Sequence, residues 1–273
     1  MKYEEAINAQ YGKVDLGKKI LAILDSDDLD IAEFSKDILA PIEELHLHGR
    51  AATMELAKGV GLNKNMRVLD VGCGIGGPAR ALASEFRCHI TGLDLSKEYC
   101  TAAKIINDKV GLNNYIEIQQ GNALDMPFDK AEFDVVFMQH VLMNIENKEQ
   151  LLSQIHHVLR PKGGLALHTI CAGSITPVHL PVIWANNPDI SFLLTASELG
   201  QLISNNGFIE HYWRDCTKKV LEGIQHARSK PHPVSFDLMS SISADISTKW
   251  RNINRNLNEG RIVVFQGIFE CNQ

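Results

Sequence analysis

No stretch of this chain approaches the roughly 20 consecutive apolar residues of a membrane-crossing helix, so no membrane span is expected. The opening residues, Met1-Lys2-Tyr3-Glu4-Glu5, carry no apolar signal-peptide core. The cysteines, Cys73, Cys88, Cys100, Cys171, Cys216 and Cys271, form no C-x-x-C pair, and no Cys/His spacing matches a zinc site, so no metal is expected. Scattered thiols of this kind are expected to be reduced, in a cytoplasmic protein. Positive charge is also short: 27 Lys and Arg stand against 33 Asp and Glu, a formal net charge of −6. Phosphate contacts need a basic surface, so nucleic acid is not the expected partner. No internal repeat and no low-complexity segment is visible, which argues against a solenoid.

What is present is ordinary for a soluble globular protein: 273 residues, 45% hydrophobic and 22% charged. That length accommodates one α/β domain with insertions, or a domain with a cap. Residues 1–64 read as helical. Leu16, Ile20, Ile23 and Leu24 recur at helical spacing, as do Leu56, Ala57 and Val60. Asp25-Ser26-Asp27-Asp28 reads as a capping turn, and Pro41 starts or interrupts a segment. From Met66 the pattern alternates. Strands are expected over 67–71, 88–93, 115–119, 133–138 and 164–170, with helices near 78–86, 97–109 and 148–159. Such alternation implies βαβ units, a parallel sheet and helices on both faces.

After Cys171 the alternation lapses. Residues 172–194, with Pro177, Pro181 and Pro188, are too long for an ordinary connection and read as a functional loop. Thr195-Ala196-Ser197-Glu198 reads as the N-cap of a helix ending at Asn206-Gly207. A strand is expected near 208–215, mostly helix over 217–258 with breaks at Pro231 and Pro233, and a last strand over 261–269.

The informative stretch is Val68-Leu69-Asp70-Val71-Gly72-Cys73-Gly74-Ile75-Gly76-Gly77, an apolar strand breaking into a glycine loop before Pro78. Gly72-x-Gly74-x-x-Gly77 alone satisfies a dinucleotide fingerprint. Asp70 discriminates. A carboxylate at the strand's end repels a pyrophosphate and suits a ligand carrying an ammonium and a sulfonium, as S-adenosyl-L-methionine does. Asp94 ends the second strand, where a carboxylate can accept from both ribose hydroxyls. Asn122-Ala123 follows the third, within reach of an adenine amino group. Gln139-His140-Val141 follows the fourth. Ligands of open α/β sheets bind outside these carboxyl ends.

In this order, Val68–Gly74, Gly92-Leu93-Asp94-Leu95-Ser96, Gly121-Asn122-Ala123, Met126-Pro127-Phe128, Phe133-Asp134-Val135-Val136 and Pro161-Lys162-Gly163-Gly164 resemble the motifs of class I S-adenosylmethionine-dependent methyltransferases. The likeness is to the small-molecule branch, with its glycine/sarcosine N-methyltransferases and quinone or natural-product methyltransferases. It is firm over 66–170 and loose elsewhere. Asn122 departs from the pattern, since many members carry Asp there. The resemblance implies a doubly wound, seven-stranded, mostly parallel sheet of order 3-2-1-4-5-7-6 with an antiparallel last strand. It implies a helical lid over 1–64 and a Rossmann-like domain over 65–273, with cap insertions near 172–194 and 217–258. By position, Gly72 and Gly74 would line the methionine moiety, Asp94 the ribose, Asn122 and Ala123 the adenine, and Gln139 the sulfonium end; Leu95 is a further cofactor-binding candidate. Arg50 is a candidate partner for the cofactor carboxylate.

His140 is the candidate general base at the catalytic edge, against the alternative of a structural histidine. His168 and His179 are weaker candidates. Trp184, Phe192, Tyr212 and Trp213 are candidate acceptor-pocket walls, though core packing is their commoner use. The expected activity is SN2 methyl transfer to a small molecule, an amine nitrogen or hydroxyl oxygen being favoured. Carbon methylation of a quinone- or sterol-like acceptor, a non-catalytic cofactor-binding protein and a nicotinamide-dependent dehydrogenase stay open. A homodimer is among the assemblies the sequence allows.

Overall fold

The computed structural model describes residues 46–228 and 245–273, with Glu5, Ile7, Gln10 and Tyr11. The expectations at Leu16, Ile20, Ile23 and Leu24, at Asp25–Asp28, and at Pro41, Pro231 and Pro233 lie outside the described residues. Helix α1 (Gly49–Gly59) leads into β1 (Arg67–Val71), α2 (Gly77–Phe86), β2 (His89–Asp94), α3 (Lys97–Lys109), β3 (Ile116–Gln120) and β4 (Phe133–Gln139). Then come α4 (Lys148–Val158), β5 (Leu159–Ala172), α5 (Ala196–Asn205), β6 (Phe208–Asp215), α6 (Thr217–Arg228), α7 (Ile246–Asn258) and β7 (Ile262–Cys271).

The strands form one sheet of order β3-β2-β1-β4-β5-β7-β6. Pairings from β3 to β5 are parallel, and β7 runs antiparallel to both β5 and β6. This is the expected topology. Neighbouring residues on the central strands point to opposite faces and both are buried. Leu69, Val136 and Leu167 pack under α4 and α5, against Leu151, Ile155 and Ile203. Val68, Val135 and Ala166 face α1, α2 and α3, against Leu56, Leu82 and Ala103.

Local chemistry sets the helix starts. The Ser96 hydroxyl accepts from the Tyr99 N–H (3.3 Å), and the Asn147 side chain accepts from Gln150. At α5 the expected cap is a full capping box: Thr195 Oγ1 accepts from the Glu198 N–H, and Glu198 Oε2 accepts from the Thr195 N–H. Most expected bounds lie within two residues of those observed, and the start of β5 differs by more. Strand β5 begins at Leu159, paired with Phe133, rather than at 164; the register then breaks, and Lys162 takes a left-handed φ of 63° before Gly164 pairs with Val135. The proline and glycines mark this irregularity, and the strand continues through it.

The 172–194 segment holds a short 3-10 turn at Pro188–Ile190. It buries Val182, Trp184 and Ile190 in a third cluster with Ile170, Ile253, Leu257 and Val264. The segment is thereby packed against the end of β5, the start of β7 and α7. Among the described residues no helix is long and apolar enough to cross a membrane.

Candidate functional site

The glycine loop is shaped by backbone geometry that only glycine takes without strain. Gly72 has φ 71°, its N–H donates to Leu93 O (2.7 Å), and a Cβ there would stand 2.3 Å from a Val141 methyl. Gly74 has φ 56°, and a Cβ would meet nothing within 4 Å, so this position opens onto free space. The buried Arg80 guanidinium holds the loop from behind, donating to Ile75 O (2.7 Å) and Asn107 Oδ1 (2.8 Å).

Two carboxylates flank that opening. Asp94 Oδ2 accepts from the Gly74 N–H (2.9 Å) and Oδ1 from the Ser96 N–H (2.8 Å), which ties the end of β2 to the loop. Burial pushes the Asp94 carboxyl above its ordinary range, and the two N–H donors pull against that. Asp70 is 2% exposed, and its Oδ2 has no hydrogen-bond partner among the described residues. Burial, aided by the charge of Asp94, pushes its pKa up to about 7. A buried, unpartnered carboxylate oxygen costs free energy until a donor or cation meets it.

Both carboxylates line one open cavity. Gly72, Gly74, Leu95, Asn122, Ala123, Gln139 and His140 line it as well. Asn122 Oδ1 accepts from the Leu124 N–H (2.9 Å), shaping the turn that presents Ala123. The Gln139 amide pairs with the Thr53 hydroxyl (3.2 Å), anchoring the end of β4 to α1. Arg50 is not brought in. It sits in the first turn of α1, half-buried, and His46 and Leu47 form the wall in its place. Among the described residues no lysine or arginine lines the cavity.

The remaining histidines divide. His179 Nε2 meets Glu259 Oε2 (2.8 Å), away from the cavity, in a structural role. His140 and His168 stack with centroids 4.9 Å apart and planes at 14°, and His46 stands 6.0 and 5.9 Å from them, edge-on. His140 takes φ 53°, and its N–H donates to His168 O (2.8 Å). His168 Nε2 lies 2.7 Å from Leu47 O; a carbonyl only accepts, so Nε2 carries the hydrogen. Burial holds these rings neutral, with His168 adding to it at His46 and His140: His46 falls to about 3, His168 to about 4, and His140 well below the ordinary value. A neutral imidazole of this kind accepts a proton only from a strongly acidic donor.

Of the candidate aromatic walls, Trp184 lines the cavity, and its Nε1–H donates to Ser191 Oγ (3.0 Å). Trp213 packs on Phe265 and Phe269, and Tyr212 lies under Arg214, both as sheet packing. Sequence reasoning missed Tyr99, Met143, Asn144, Ile170, Ile183 and Ile253, which also line the cavity. Asn144 joins three segments. Its Nδ2 donates to Trp184 O and Ile190 O, both at 2.8 Å, and its Oδ1 accepts from the Tyr11 hydroxyl at 2.8 Å. A polar residue just past the end of β4 was the available signal.

Comparison with known proteins places this geometry. A sterol 24-C-methyltransferase of Gibberella zeae is 37% identical over 108 residues, covering 40% of this chain and 28% of that protein. A glycine/sarcosine/dimethylglycine N-methyltransferase of Actinopolyspora halophila is 31% identical over 125 residues, 46% of this chain and 22% of that protein. The chain spans less than two thirds of the length of the curated relatives it matches. Geranyl diphosphate C-methyltransferase from Streptomyces coelicolor, solved with geranyl diphosphate and S-adenosyl-L-homocysteine, superposes with a TM-score of 0.70 at 18% identity, over 99% of this chain and 98% of that one. Phosphoethanolamine N-methyltransferase 2 of Haemonchus contortus, solved with S-adenosyl-L-methionine, gives 0.70 at 19% identity, over 96% of this chain and 61% of that one. At those identities the solved structures show a shared fold. The family model described as a methyltransferase domain matches residues 62–227, more than half of the sequence, and the chain belongs to that family.

Proposed function

We propose that this chain transfers a methyl group from S-adenosyl-L-methionine to a small-molecule acceptor. The observation that carries this reading is Asp70 Oδ2, buried and unpartnered beside a glycine loop that opens at Gly74. S-adenosyl-L-methionine, when bound, supplies a methyl group already activated on a sulfonium sulfur. Asp70 answers its ammonium, while Gly72 and Gly74 leave room for the methionine chain. Asp94 keeps lone pairs for the ribose hydroxyls beyond those taken by Gly74 and Ser96. Leu95, Asn122 and Ala123 hold the adenine side, and Gln139 borders the reacting end. The apolar walls exclude water and align the acceptor, which supplies much of the rate of a displacement from an activated donor. His140 is kept neutral and is available to take a proton from a strongly acidic methylated product.

A nicotinamide dinucleotide fits less well. Its pyrophosphate would sit against Asp70 and Asp94 with no lysine or arginine lining the cavity among the described residues. We assign residues 65–273 as the catalytic domain, with caps near 172–194 and 217–258, and residues 1–64 as its lid. Ile7, Tyr11, His46 and Leu47 on the cavity wall support that division. Six unpaired thiols favour a reducing compartment such as the cytoplasm.

Calorimetry of S-adenosyl-L-methionine with the parent protein and with Asp94→Ala tests the donor site. The parent is expected to bind in the micromolar range and the variant on the order of a hundredfold more weakly, because a charged acceptor is lost. Full affinity in the variant would overturn the assignment. Methyl transfer from labelled cofactor into a metabolite extract tests catalysis, and its absence would leave a cofactor-binding protein.

A further inference from the structure

The cavity has two chemically different halves. One half, built by the glycine loop and the ends of β2 and β3, carries both carboxylates, Asp70 and Asp94. The other half is built by segments that meet only in the fold: the N-terminal segment, the turn after β4, the end of β5, the 172–194 cap and α7. Its walls are apolar, with Met143, Ile170, Trp184 and Ile253 each at most 3% exposed, joined by Leu47 and the more open Ile183. Among the described residues no lysine, arginine, aspartate or glutamate lines this half.

Most of the polar groups it contains are directed to the protein itself; His140 Nε2 has no partner among the described residues. Asn144 uses its amide hydrogens on Trp184 O and Ile190 O, and its oxygen takes the Tyr11 hydroxyl proton. The three histidines are held neutral, so they offer no positive charge. Among the described residues, a phosphate, diphosphate or carboxylate placed here would lose its water and find no cation, and an ammonium would find no anion. A hydrocarbon body loses nothing and gains from every apolar wall.

We propose that this half binds a neutral, lipophilic methyl acceptor, a largely hydrocarbon molecule with no phosphate, carboxylate or ammonium group. The proposal rests on the methyltransferase reading above and narrows it. It sets the described half-cavity apart from the charged acceptor chemistry that the names of several relatives and structural neighbours carry.

A matched pair of ligands isolates the charge. Farnesol and farnesyl diphosphate share one hydrocarbon chain and differ in the diphosphate. Calorimetry with protein saturated in S-adenosyl-L-homocysteine is expected to show farnesol binding, with farnesyl diphosphate weaker by on the order of a hundredfold. Phosphoethanolamine and glycine are expected not to bind at millimolar concentration. Ile183→Arg, at the more open rim, is expected to weaken farnesol at least about tenfold and to improve the diphosphate. S-adenosyl-L-homocysteine affinity is expected to stay within about twofold in that variant, since Ile183 lies in the other half. Equal or tighter binding of farnesyl diphosphate, phosphoethanolamine or glycine overturns the proposal. So does an absence of farnesol binding up to its solubility limit, or farnesol binding that Ile183→Arg leaves unchanged. Failure to bind S-adenosyl-L-homocysteine at all would instead strike the donor reading, so the two failures are distinct.

Discussion

Asp70 is buried to 2% exposure with one oxygen unpartnered, and its pKa stands at about 7. An aspartate in the unfolded chain titrates near about 4. Between those values the folded protein holds a proton that the unfolded chain has released, so stability falls as pH rises through that window and levels off above it. At about 1.4 kcal/mol per pH unit, the ionised carboxylate costs an upper bound of about 4 kcal/mol above pH 7. A cation seated against Asp70 recovers part of that cost, so cofactor binding below pH 7 is expected to expel the proton. Affinity for S-adenosyl-L-methionine should then fall about tenfold for each pH unit below 7, or on the order of a hundredfold at pH 5. Calorimetry at pH 5, 6 and 7, in two buffers of different ionisation enthalpy, measures both the affinity and the protons released. Close to one proton is expected at pH 5, and none in Asp70→Asn. The same variant removes the charge, so at pH 8 it is expected to be about 1–3 kcal/mol more stable than the parent while binding the cofactor poorly. A flat affinity from pH 5 to 7 without proton release refutes the reasoning, as does an Asp70→Asn protein less stable than the parent at pH 8.

Gly72→Ala adds a methyl 2.3 Å from Val141 at a φ of 71°; thermal melts should show a loss of about 2–4 kcal/mol. Lys148 is buried and donates from Nζ to Ile145 O and Phe192 O, both at 2.6 Å, pinning the end of the cap to the start of α4. Lys148→Met strands both carbonyls and should cost about 2–4 kcal/mol in urea unfolding, with faster amide exchange over 185–194. Asn144→Leu removes the contacts to Trp184, Ile190 and Tyr11. Once an acceptor is in hand, the variant is expected to raise the acceptor KM at least about tenfold while changing cofactor affinity less than about twofold, because the lost bonds lie in the acceptor half. Equal losses in both would refute that division.

Much of the sheet was legible because parallel strands buried on both faces are predominantly apolar: 135–138 is Val-Val-Phe-Met, and 67–71 departs only at Arg67 and Asp70. The capping box at Thr195 was legible for a different reason: its two partners are three residues apart, so the sequence displays the whole device. The start of β5 was hidden because Pro161 and Gly163 read as a turn, whereas pairing of Leu159 with Phe133 is a tertiary fact. Arg50 is a related case. A lid-like N-terminal segment and the adjacent Gly49 made it a candidate, whereas His48 turns the chain with φ 71° at the start of α1, and His46 and Leu47 stand on the described wall.

The two halves of the cavity differ in legibility because they differ in chemistry. The donor half works through charge and through backbone conformations that need glycine. Asp70, Gly72, Gly74 and Asp94 therefore stand out at strand ends, where a carboxylate or a break in an apolar run has few structural reasons to occur. The acceptor half works through the absence of charge. Met143, Ile170, Ile183 and Ile253 are side chains that any core would use, and they come from four distant segments. The histidine cluster follows the same logic. In sequence, His46, His140 and His168 are three potentially cationic groups far apart. Only their burial and stacking make them neutral, and with them the surface they share. A pocket defined by what it excludes leaves no motif, so its specificity becomes readable only once packing has decided which apolar residues face a cavity and which face one another.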